Sequence, residues 1–431
     1  MSRAGHAAAF VLGLAVLAAQ PSIAGRQPAS AHWIGSWYAA PAARVDSAAP
    51  PTGTSGQSLL HVKDQTLRQV AHLTLGGSRL RVVVSNVFGT AGLTIGAASV
   101  ALRDRDAAIV PGSARPLTFA GSGGVVVPAG ATMTSDPVDL AAPDFADLAI
   151  DLYLPGDTAA MASPITMHAA SWQTGYVSPS GNHAGSVSMP VQATTRYRRG
   201  DGLESATWFF LARVDVLAPA EARAIVAIGD SITDGTASGI DTNNRWPDHL
   251  ARRLVKAGMR IAVLNAGIGG NRVLNEGNGP SALARFERDV LTQPGVTHVV
   301  VLEGINDIGQ ARANASPSAA DLIAAHKTLI DRAHERGLRV YGATLTPFQG
   351  ANYWTPEGEA KRQALNAWIR TGKAYDAVLD FDAAARDPDR PSALLGRFDP
   401  GDHLHLNAAG YDAIAGSVDL ALFRIEGTHD R

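Results

Sequence analysis

The chain has 431 residues, of which 46% are hydrophobic and 18% charged, and this composition excludes collagenous, mucin-like and wholly disordered proteins. Its 37 basic and 39 acidic side chains give a formal charge of -2, which argues against a nucleic-acid-binding protein, since such proteins usually carry a strong basic surplus. The sequence has no cysteine, so disulfides, thiolate metal sites and a cysteine nucleophile are excluded.

The N-terminus has the pattern of an export signal. Arg3 precedes a short apolar run, Ala7–Ala19, and small residues follow at two candidate cleavage sites, near Ala24 and Ala31. A positive start, a short apolar core and small residues at the cut are typical of a secretory signal peptide. The run is shorter than the ~20 residues that span a bilayer. We therefore predict that residues 1–31 form a signal peptide, and that the mature protein is periplasmic or extracellular without stable membrane insertion.

Residues 32–218 have the pattern of many short strands separated by Gly, Pro, Ser and Asp. The segment Leu148–Leu154 alternates large apolar residues with Ala149, Asp151 and Tyr153, which is the period of a strand with one buried face. We predict an antiparallel, jelly-roll-like β-sandwich, with an irregular loop at Ala43–Gly56. Further strands are predicted at Leu67–Leu75, Leu80–Val84, Leu93–Leu102, Gly124–Val127, Ile165–Trp172 and Thr207–Val216.

From residue 219 to 431 short apolar runs alternate with long helical patterns. Strands that are apolar throughout, each followed by a helix, indicate a parallel sheet covered on both faces, and hence a second, α/β domain. The predicted strands are Ala224–Ile228, Ile261–Asn265, His298–Leu302, Val340–Leu345 and Ala377–Phe381. The predicted helices are Trp246–Ala257, Ala282–Leu291, Ala319–Arg336, Glu357–Ala374 and Ala408–Phe423.

Polar and glycine-rich motifs follow three of these strands. Gly229–Gly235 comes after the first strand, Asn265–Asn271 after the second and Glu303–Asp307 after the third, and the C-terminal region adds Asp402–His405. Carboxyl ends of parallel strands meet at one edge of a sheet, where open α/β folds bind their ligands. A serine, backbone donors, an amide and an acid–histidine pair are therefore expected on one rim.

These motifs resemble the signature blocks of the GDSL family of the SGNH hydrolase superfamily, which contains esterases and lipases. The resemblance covers about residues 223–423 and lies in Gly229-Asp230-Ser231, Gly270, Gly304-Ile305-Asn306-Asp307 and Asp402-x-x-His405. It implies a flavodoxin-like, three-layer α/β/α domain and a carboxylic ester hydrolase that needs no metal and no organic cofactor.

The resemblance implies a role for each of these residues. Ser231 is expected to be the nucleophile, His405 the general base and Asp402 the acid that orients it. The oxyanion hole is expected to consist of the Ser231 and Gly270 backbone N–H groups and the Asn306 side chain. These roles fit general chemistry, because a serine hydroxyl attacks only when an imidazole takes its proton, and a carboxylate fixes the tautomer of that imidazole.

Three assignments stay open at this point. Gly269 is adjacent to Gly270, so a shift of one residue in the motif alignment would make Gly269 the oxyanion donor instead. His403 lies two residues before His405, although only His405 has the D-x-x-H spacing, and Asp399 is a second acid on the same segment.

The natural substrate and assembly of the protein are less constrained. Segments Thr66–Val70 and Leu80–Gly89 resemble the β-rich domain that precedes some hydrolases of this superfamily, including aryl- or acyl-esterases associated with xylan breakdown. A small-molecule or polysaccharide ester, with short acyl or acetyl groups, is therefore expected as substrate. Alternatives are a lipase or phospholipase acting on longer chains and a non-catalytic glycan-binding protein. Phe348, Tyr353 and Trp354 either line an acceptor pocket or serve packing, and the oligomeric state stays open.

Overall fold

A computed structural model describes Met1 and residues 31–44, 62–158, 164–199, 202–310 and 316–424 of the chain. Residues 2–30 of the predicted signal peptide, and residues 45–56 of the predicted Ala43–Gly56 loop, lie outside the described residues. Ala43 and Arg44, the first two residues of the predicted loop, instead belong to a strand, Ala42–Arg44. The signal peptide and the rest of the loop stay predictions.

The described residues of the first half of the chain form eighteen strands. In chain order they are β1 (His32–Tyr38), β2 (Ala42–Arg44), β3 (Lys63–His72), β4 (Gly77–Ser85), β5 (Leu93–Ile95), β6 (Ala97–Leu102), β7 (Arg115–Leu117), β8 (Val125–Val127), β9 (Thr132–Thr134), β10 (Val138–Ala142), β11 (Asp147–Asp157), β12 (Ile165–His168), β13 (Tyr176–Ser180), β14 (Ala193–Thr194), β15 (Tyr197–Arg198), β16 (Glu204–Ser205), β17 (Trp208–Phe209) and β18 (Leu211–Ala218).

Two larger antiparallel sheets hold most of these strands. One has the order β1-β18-β4-β10 with β9 paired to β4, and the other has the order β14-β13-β3-β11-β6-β7. Smaller sheets join β17-β12-β2, β15-β16 and β5-β8. The prediction of an antiparallel β-rich region is confirmed. The middle of β11 is buried on both faces. The charge of Asp151 is tolerated there because its carboxylate forms an ion pair of 2.6 Å with the equally buried Arg68 of β3.

Three of the predicted strands are shorter or interrupted. The strand predicted at Leu93–Leu102 is two strands divided at Gly96, and the one predicted at Thr207–Val216 is divided at Phe210, whose φ of 58° breaks the extended backbone. The strand predicted at Ile165–Trp172 ends at His168. Local alternation marks apolar runs but does not show where a strand loses its neighbour.

The second half of the chain is built on a parallel sheet. Its strands are β19 (Arg223–Gly229), β20 (Ile261–Gly267), β21 (Val296–Leu302), β22 (Arg339–Ala343) and β23 (Ala377–Leu379), in the spatial order β20-β19-β21-β22-β23. This is the 2-1-3-4-5 order of flavodoxin-like folds, which confirms the predicted fold of the domain. The order reverses beside β19, so the crevice at the sheet edge opens at the carboxyl end of that strand.

Two groups of helices cover this sheet. The helices are α1 (Ser231–Asp234), α2 (Trp246–Lys256), α3 (Ala282–Phe286), α4 (Ile305–Gly309), α5 (Ala319–His334), α6 (Pro356–Thr371), α7 (Phe381–Ala385) and α8 (Ala408–Gly416). Helices α2, α7 and α8 contact one another, and α3, α5 and α6 form the other group. Among the described residues, no helix is both long enough and apolar enough to cross a membrane.

Three predicted elements of this half have a different form in the structure. The predicted helix Ala282–Leu291 continues beyond α3 as a π-helical turn, Glu287–Leu291. The predicted helix Ala408–Phe423 ends at Gly416, and a separate 3-10 turn, Leu420–Phe423, follows. Phe381 begins α7 instead of ending a strand, because the Asp380 side chain accepts the Ala383 N–H and caps that helix.

The two halves pack together through one continuous apolar core. Strand β1 lies on β20, and the Tyr38 hydroxyl donates to Asp289 at 2.6 Å. Directly before β20, Arg260 forms an ion pair of 2.7 Å with Asp144 of the β-rich half. The change from antiparallel to parallel pairing falls between β18 and β19, and the domain division after residue 218 stays a prediction.

Candidate active site

The nucleophile motif forms a tight turn from β19 into α1. A Cβ atom on Gly229 would lie 2.7 Å from the Leu302 carbonyl oxygen, so the turn has room only for glycine. The Asp230 carboxylate accepts the Ile232 N–H at 2.9 Å and caps α1. Ser231 is therefore the first residue of the helix, where its backbone N–H has no partner within the helix.

Ser231, His405 and Asp402 form a hydrogen-bonded line. His405 Nε2 lies 2.8 Å from Ser231 Oγ, and His405 Nδ1 lies 2.5 Å from Asp402 Oδ2. The other carboxylate oxygen, Oδ1, accepts the backbone N–H groups of Leu404 and His405. Residues 401–405 form a bend that these bonds hold. The structure thus brings together all three residues that the resemblance assigns to the triad.

The electrostatics of this line favour an ionised Asp402. Burial alone would raise the pKa of this carboxyl group, but the hydrogen bond and the charge of His405, with the two backbone N–H donors, hold the pKa well below its usual range. A permanently ionised acceptor at Nδ1 keeps the Nδ1 proton in place and leaves Nε2 facing the serine hydroxyl.

The second acid–histidine pair on the same segment makes no described hydrogen bond with the serine. Asp399 Oδ2 lies 2.6 Å from His403 Nδ1, and the His403 side chain is 52% exposed. His403 has a φ of 61°, which lies in the left-handed region. The described contacts therefore connect His405, and not His403, with Ser231.

The loop after β20 distinguishes the two candidate glycine donors. The Gly269 N–H already donates to Asp234 Oδ2 at 2.9 Å. Gly270 has a φ of 75°, and its N–H donates to no described residue. A Cβ atom at Gly270 would lie 2.4 Å from Asn278 Nδ2. The geometry thus leaves the Gly270 N–H available, which favours Gly270 over Gly269 as a donor to a bound ligand.

The Asn306 amide is held in one orientation. Its Oδ1 accepts from Gln310 Nε2 at 2.8 Å and lies 3.4 Å from the Tyr353 hydroxyl, which donates to it. One Nδ2 hydrogen is donated to the Asn271 carbonyl at 3.0 Å. The other has no described acceptor, so α4 presents a buried amide donor next to the loop that carries Gly270.

Arg285 is a site-organising residue that the sequence analysis missed. From the buried side of α3 it donates to the carbonyl oxygens of Ala266 and Gly229, at 2.6 and 3.0 Å. Its Nε donates to Asn271 Oδ1 at 2.9 Å. A fully buried guanidinium therefore joins the ends of β19 and β20 to the glycine loop. The signal in the sequence is a charged residue on the apolar face of a predicted helix.

The aromatic residues predicted as pocket or packing residues all pack in or against the core. Phe348 is fully buried in the core, and Trp354 packs against the same core. Tyr353 is the one of the three whose hydroxyl reaches Asn306. Within the described ranges, no three side chains of the metal-ligating types come together.

Comparison with known proteins gives a family match for the α/β half. Residues 227–413 match the model of the GDSL-like lipase/acylhydrolase family. None of the curated proteins matches the chain. The match confirms the family resemblance, the α/β fold and the prediction of a carboxylic ester hydrolase.

Solved structures that are similar to the chain cover slightly less than half of it. An acetyl xylan esterase from Geobacillus stearothermophilus is 22% identical, with 45% of this chain and 91% of that chain covered and a TM-score of 0.35. A carbohydrate acetylesterase family member from Sinorhizobium meliloti is 16% identical, with 46% and 97% covered and a TM-score of 0.38. The aryl esterase of M. smegmatis is 17% identical, with 46% and 96% covered and a TM-score of 0.36.

Proposed function

The chain carries a domain of the GDSL-like lipase/acylhydrolase family and is a carboxylic ester hydrolase, and from this premise we propose that it is a secreted serine esterase with Ser231 as nucleophile. The proposed substrates are esters of short acyl or acetyl groups, including those on carbohydrate. The observation that carries the proposal is the hydrogen-bonded line from Ser231 Oγ through His405 to Asp402.

The proposed reaction has two halves that use the same proton path. Ser231 Oγ attacks the ester carbonyl carbon while His405 Nε2 takes the hydroxyl proton. The carbon–alkoxy bond breaks, and the protonated His405 returns the proton to the leaving alcohol. Water then attacks the acyl-enzyme, again losing its proton to His405, and the carboxylic acid leaves as Ser231 is reprotonated.

The proposed oxyanion hole consists of three donors. The Ser231 N–H at the first turn of α1 and the Gly270 N–H are without described partners. The free Nδ2 hydrogen of Asn306 is the third donor, and Gln310 fixes its amide. Donors held rigidly before the reaction stabilise the developing negative charge without reorganisation.

Two further observations support the choice of compartment and substrate. The N-terminal pattern Arg3, Ala7–Ala19 and the small residues near Ala24 supports export. Ser231 is only 6% exposed and Asn306 1%, and Tyr353 adjoins the amide, so the surroundings of the nucleophile favour a small acyl group.

The nucleophile is tested with Ser231→Ala and the matched variant Ser417→Ala, whose exposed serine lies at the end of α8. Ser231→Ala should lower kcat for p-nitrophenyl acetate by about 10⁴-fold or more while the protein stays folded, and Ser417→Ala should match the wild type. A fluorophosphonate should label the wild type and Ser417→Ala but not Ser231→Ala. Turnover by folded Ser231→Ala at the wild-type rate would contradict the mechanism.

The substrate class is tested with p-nitrophenyl esters of increasing chain length, followed by acetylated xylan. We expect kcat/KM to be highest for acetate and to fall as the acyl chain lengthens, with release of acetate from the polysaccharide. A maximum at long chains would instead identify a lipase. Failure of the fluorophosphonate to react with Ser231 would indicate a non-catalytic protein.

A further inference from the structure

A buried histidine of the β-rich half reaches the nucleophile helix. His168, at the end of β12, is 4% exposed, and its Nε2 lies 2.9 Å from Oδ1 of Asp234, the last residue of α1. Its other ring nitrogen, Nδ1, lies 2.9 Å from the Ala40 carbonyl oxygen. The imidazole therefore bridges the chain segment after β1 and the helix that begins with Ser231.

The partners of the ring determine its protonation state. A carbonyl oxygen and a carboxylate oxygen both accept hydrogen bonds and donate none. A neutral imidazole has one N–H and would leave one of these buried contacts without a hydrogen, whereas an imidazolium satisfies both. The two acceptors thus favour a doubly protonated His168 opposite the Asp234 carboxylate.

Asp234 also binds the glycine loop. Its second oxygen, Oδ2, accepts the Gly269 N–H at 2.9 Å, and Gly269 is bonded directly to Gly270. We propose that His168 is a positioning residue for the esterase, which as an imidazolium orients Asp234 and through it the Gly269–Gly270 peptide of the oxyanion hole. This inference rests on the proposed function, and it assigns the β-rich half a part in catalysis.

The charges around the ring agree with this state. Burial alone would lower the pKa of His168, and Arg245, which is itself paired with Asp248, acts in the same direction. The Asp234 charge and hydrogen bond, with the Ala40 carbonyl, outweigh both and raise the pKa above its ordinary value. A raised pKa means that the contribution of the pair is present below the ordinary value and is lost as the pH rises through the folded-state value.

The inference is tested with His168→Gln and the matched control Arg260→Gln. Glutamine can donate to one acceptor but carries no charge. Arg260 makes an ion pair between the two halves at the start of β20, the end of the sheet opposite the site. We expect His168→Gln to lower kcat for p-nitrophenyl acetate about 10- to 100-fold with little change in KM, and Arg260→Gln to keep the wild-type kcat.

The pH profile provides a readout that a merely structural role would not change. Wild-type kcat should fall on the alkaline side as His168 loses its proton, and this fall should be absent in His168→Gln. Asp234→Asn removes the negative charge that stabilises the His168 imidazolium. It should therefore also lower kcat and abolish the fall of kcat on the alkaline side. Because both variants break the same link, the double variant should be no slower than the slower single variant.

The outcomes separate this inference from the proposed function. Wild-type kcat and an unchanged alkaline fall in His168→Gln, with Ser231→Ala inactive, would overturn the positioning role and leave the esterase mechanism standing. Activity in folded Ser231→Ala would overturn the mechanism first. If His168→Gln does not fold, Asp234→Asn decides, and a wild-type kcat with an unchanged alkaline fall in that variant overturns the inference.

Discussion

Asp402 and His405 are joined twice: the carboxylate lies 2.5 Å from the imidazole Nδ1 through one oxygen and accepts the His405 backbone N–H at 2.9 Å through the other. The backbone bond fixes the turn, and the side-chain bond fixes the ring. A copy of this arrangement lies nearby, where Asp399 holds His403. The chain therefore contains its own control for the role of the acid.

The first prediction concerns Asp402→Asn. The amide keeps an acceptor for the backbone N–H groups but cannot stabilise the imidazolium that forms during the reaction. We expect kcat for p-nitrophenyl acetate to fall by about 10⁴-fold, as in other serine triads, while the protein stays folded. Asp399→Asn, the control, should retain the wild-type kcat. Equal losses in the two variants would show that the whole segment, and not the Asp402 carboxylate, controls the rate.

The second prediction concerns the two neighbouring glycines. Alanine at Gly270 would have a left-handed φ, which strains the loop that positions the N–H, and its Cβ atom would displace the Asn278 side chain, 2.4 Å away. Alanine at Gly269 places its Cβ atom 3.5 Å from Asp234 Oδ2, an ordinary contact. We expect kcat to fall about 100-fold in Gly270→Ala and to stay near the wild-type value in Gly269→Ala. The reverse order would assign the oxyanion donor to Gly269.

The parallel sheet could be predicted from the sequence because its strands are continuous apolar runs. The predicted strand Ile261–Asn265 corresponds to β20, Ile261–Gly267, and a segment buried on both faces shows this pattern without any tertiary information. The π-helical turn after α3 lacks such a pattern. It contains Asp289, which accepts hydrogen bonds from the Tyr38 hydroxyl and from Arg285. Because Tyr38 lies 251 positions away in the sequence, local periodicity cannot reveal this contact.

The same distinction applies to the site. Ser231, Asn306 and His405 stand in short motifs just beyond strands, so their common location follows from the topology of a parallel sheet. Arg285 and His168 occur in no motif. Their partners are main-chain carbonyls and a carboxylate brought in by other elements, and only the folded chain shows which buried acceptors need a donor.

The third prediction concerns Asn306, the side-chain donor of the proposed oxyanion hole. Asn306→Ala removes an N–H that strengthens its hydrogen bond as the ester oxygen becomes negative. We expect kcat to fall about 10²- to 10³-fold with a smaller change in KM. The control is Tyr353→Phe, which removes only the hydroxyl 3.4 Å from Asn306 Oδ1 and should lower kcat far less. A full kcat in Asn306→Ala would leave the backbone donors as the whole oxyanion hole.

The last prediction concerns the carboxyl group next to the nucleophile. Burial, with the nearby charges of Asp307 and Asp234, raises the pKa of Asp230 to about 7, against the lowering effect of its bond from the Ile232 N–H. One of its oxygens, Oδ2, is buried without a partner among the described residues. Asp230→Asn keeps the oxygen that caps α1 and replaces the partnerless one by an uncharged amide nitrogen.

The sign of the effect follows from proton linkage. An unfolded aspartate ionises near pH 4, so between about pH 4 and 7 the folded wild type binds a proton that the unfolded chain has lost, and its free energy of unfolding falls as the pH rises. An asparagine does not titrate. We expect Asp230→Asn to be roughly 1–3 kcal/mol more stable than the wild type at pH 8, and the difference to shrink towards pH 4, as measured by urea unfolding. A difference that is the same at pH 5 and pH 8 would show that Asp230 is ionised in the folded protein throughout this range.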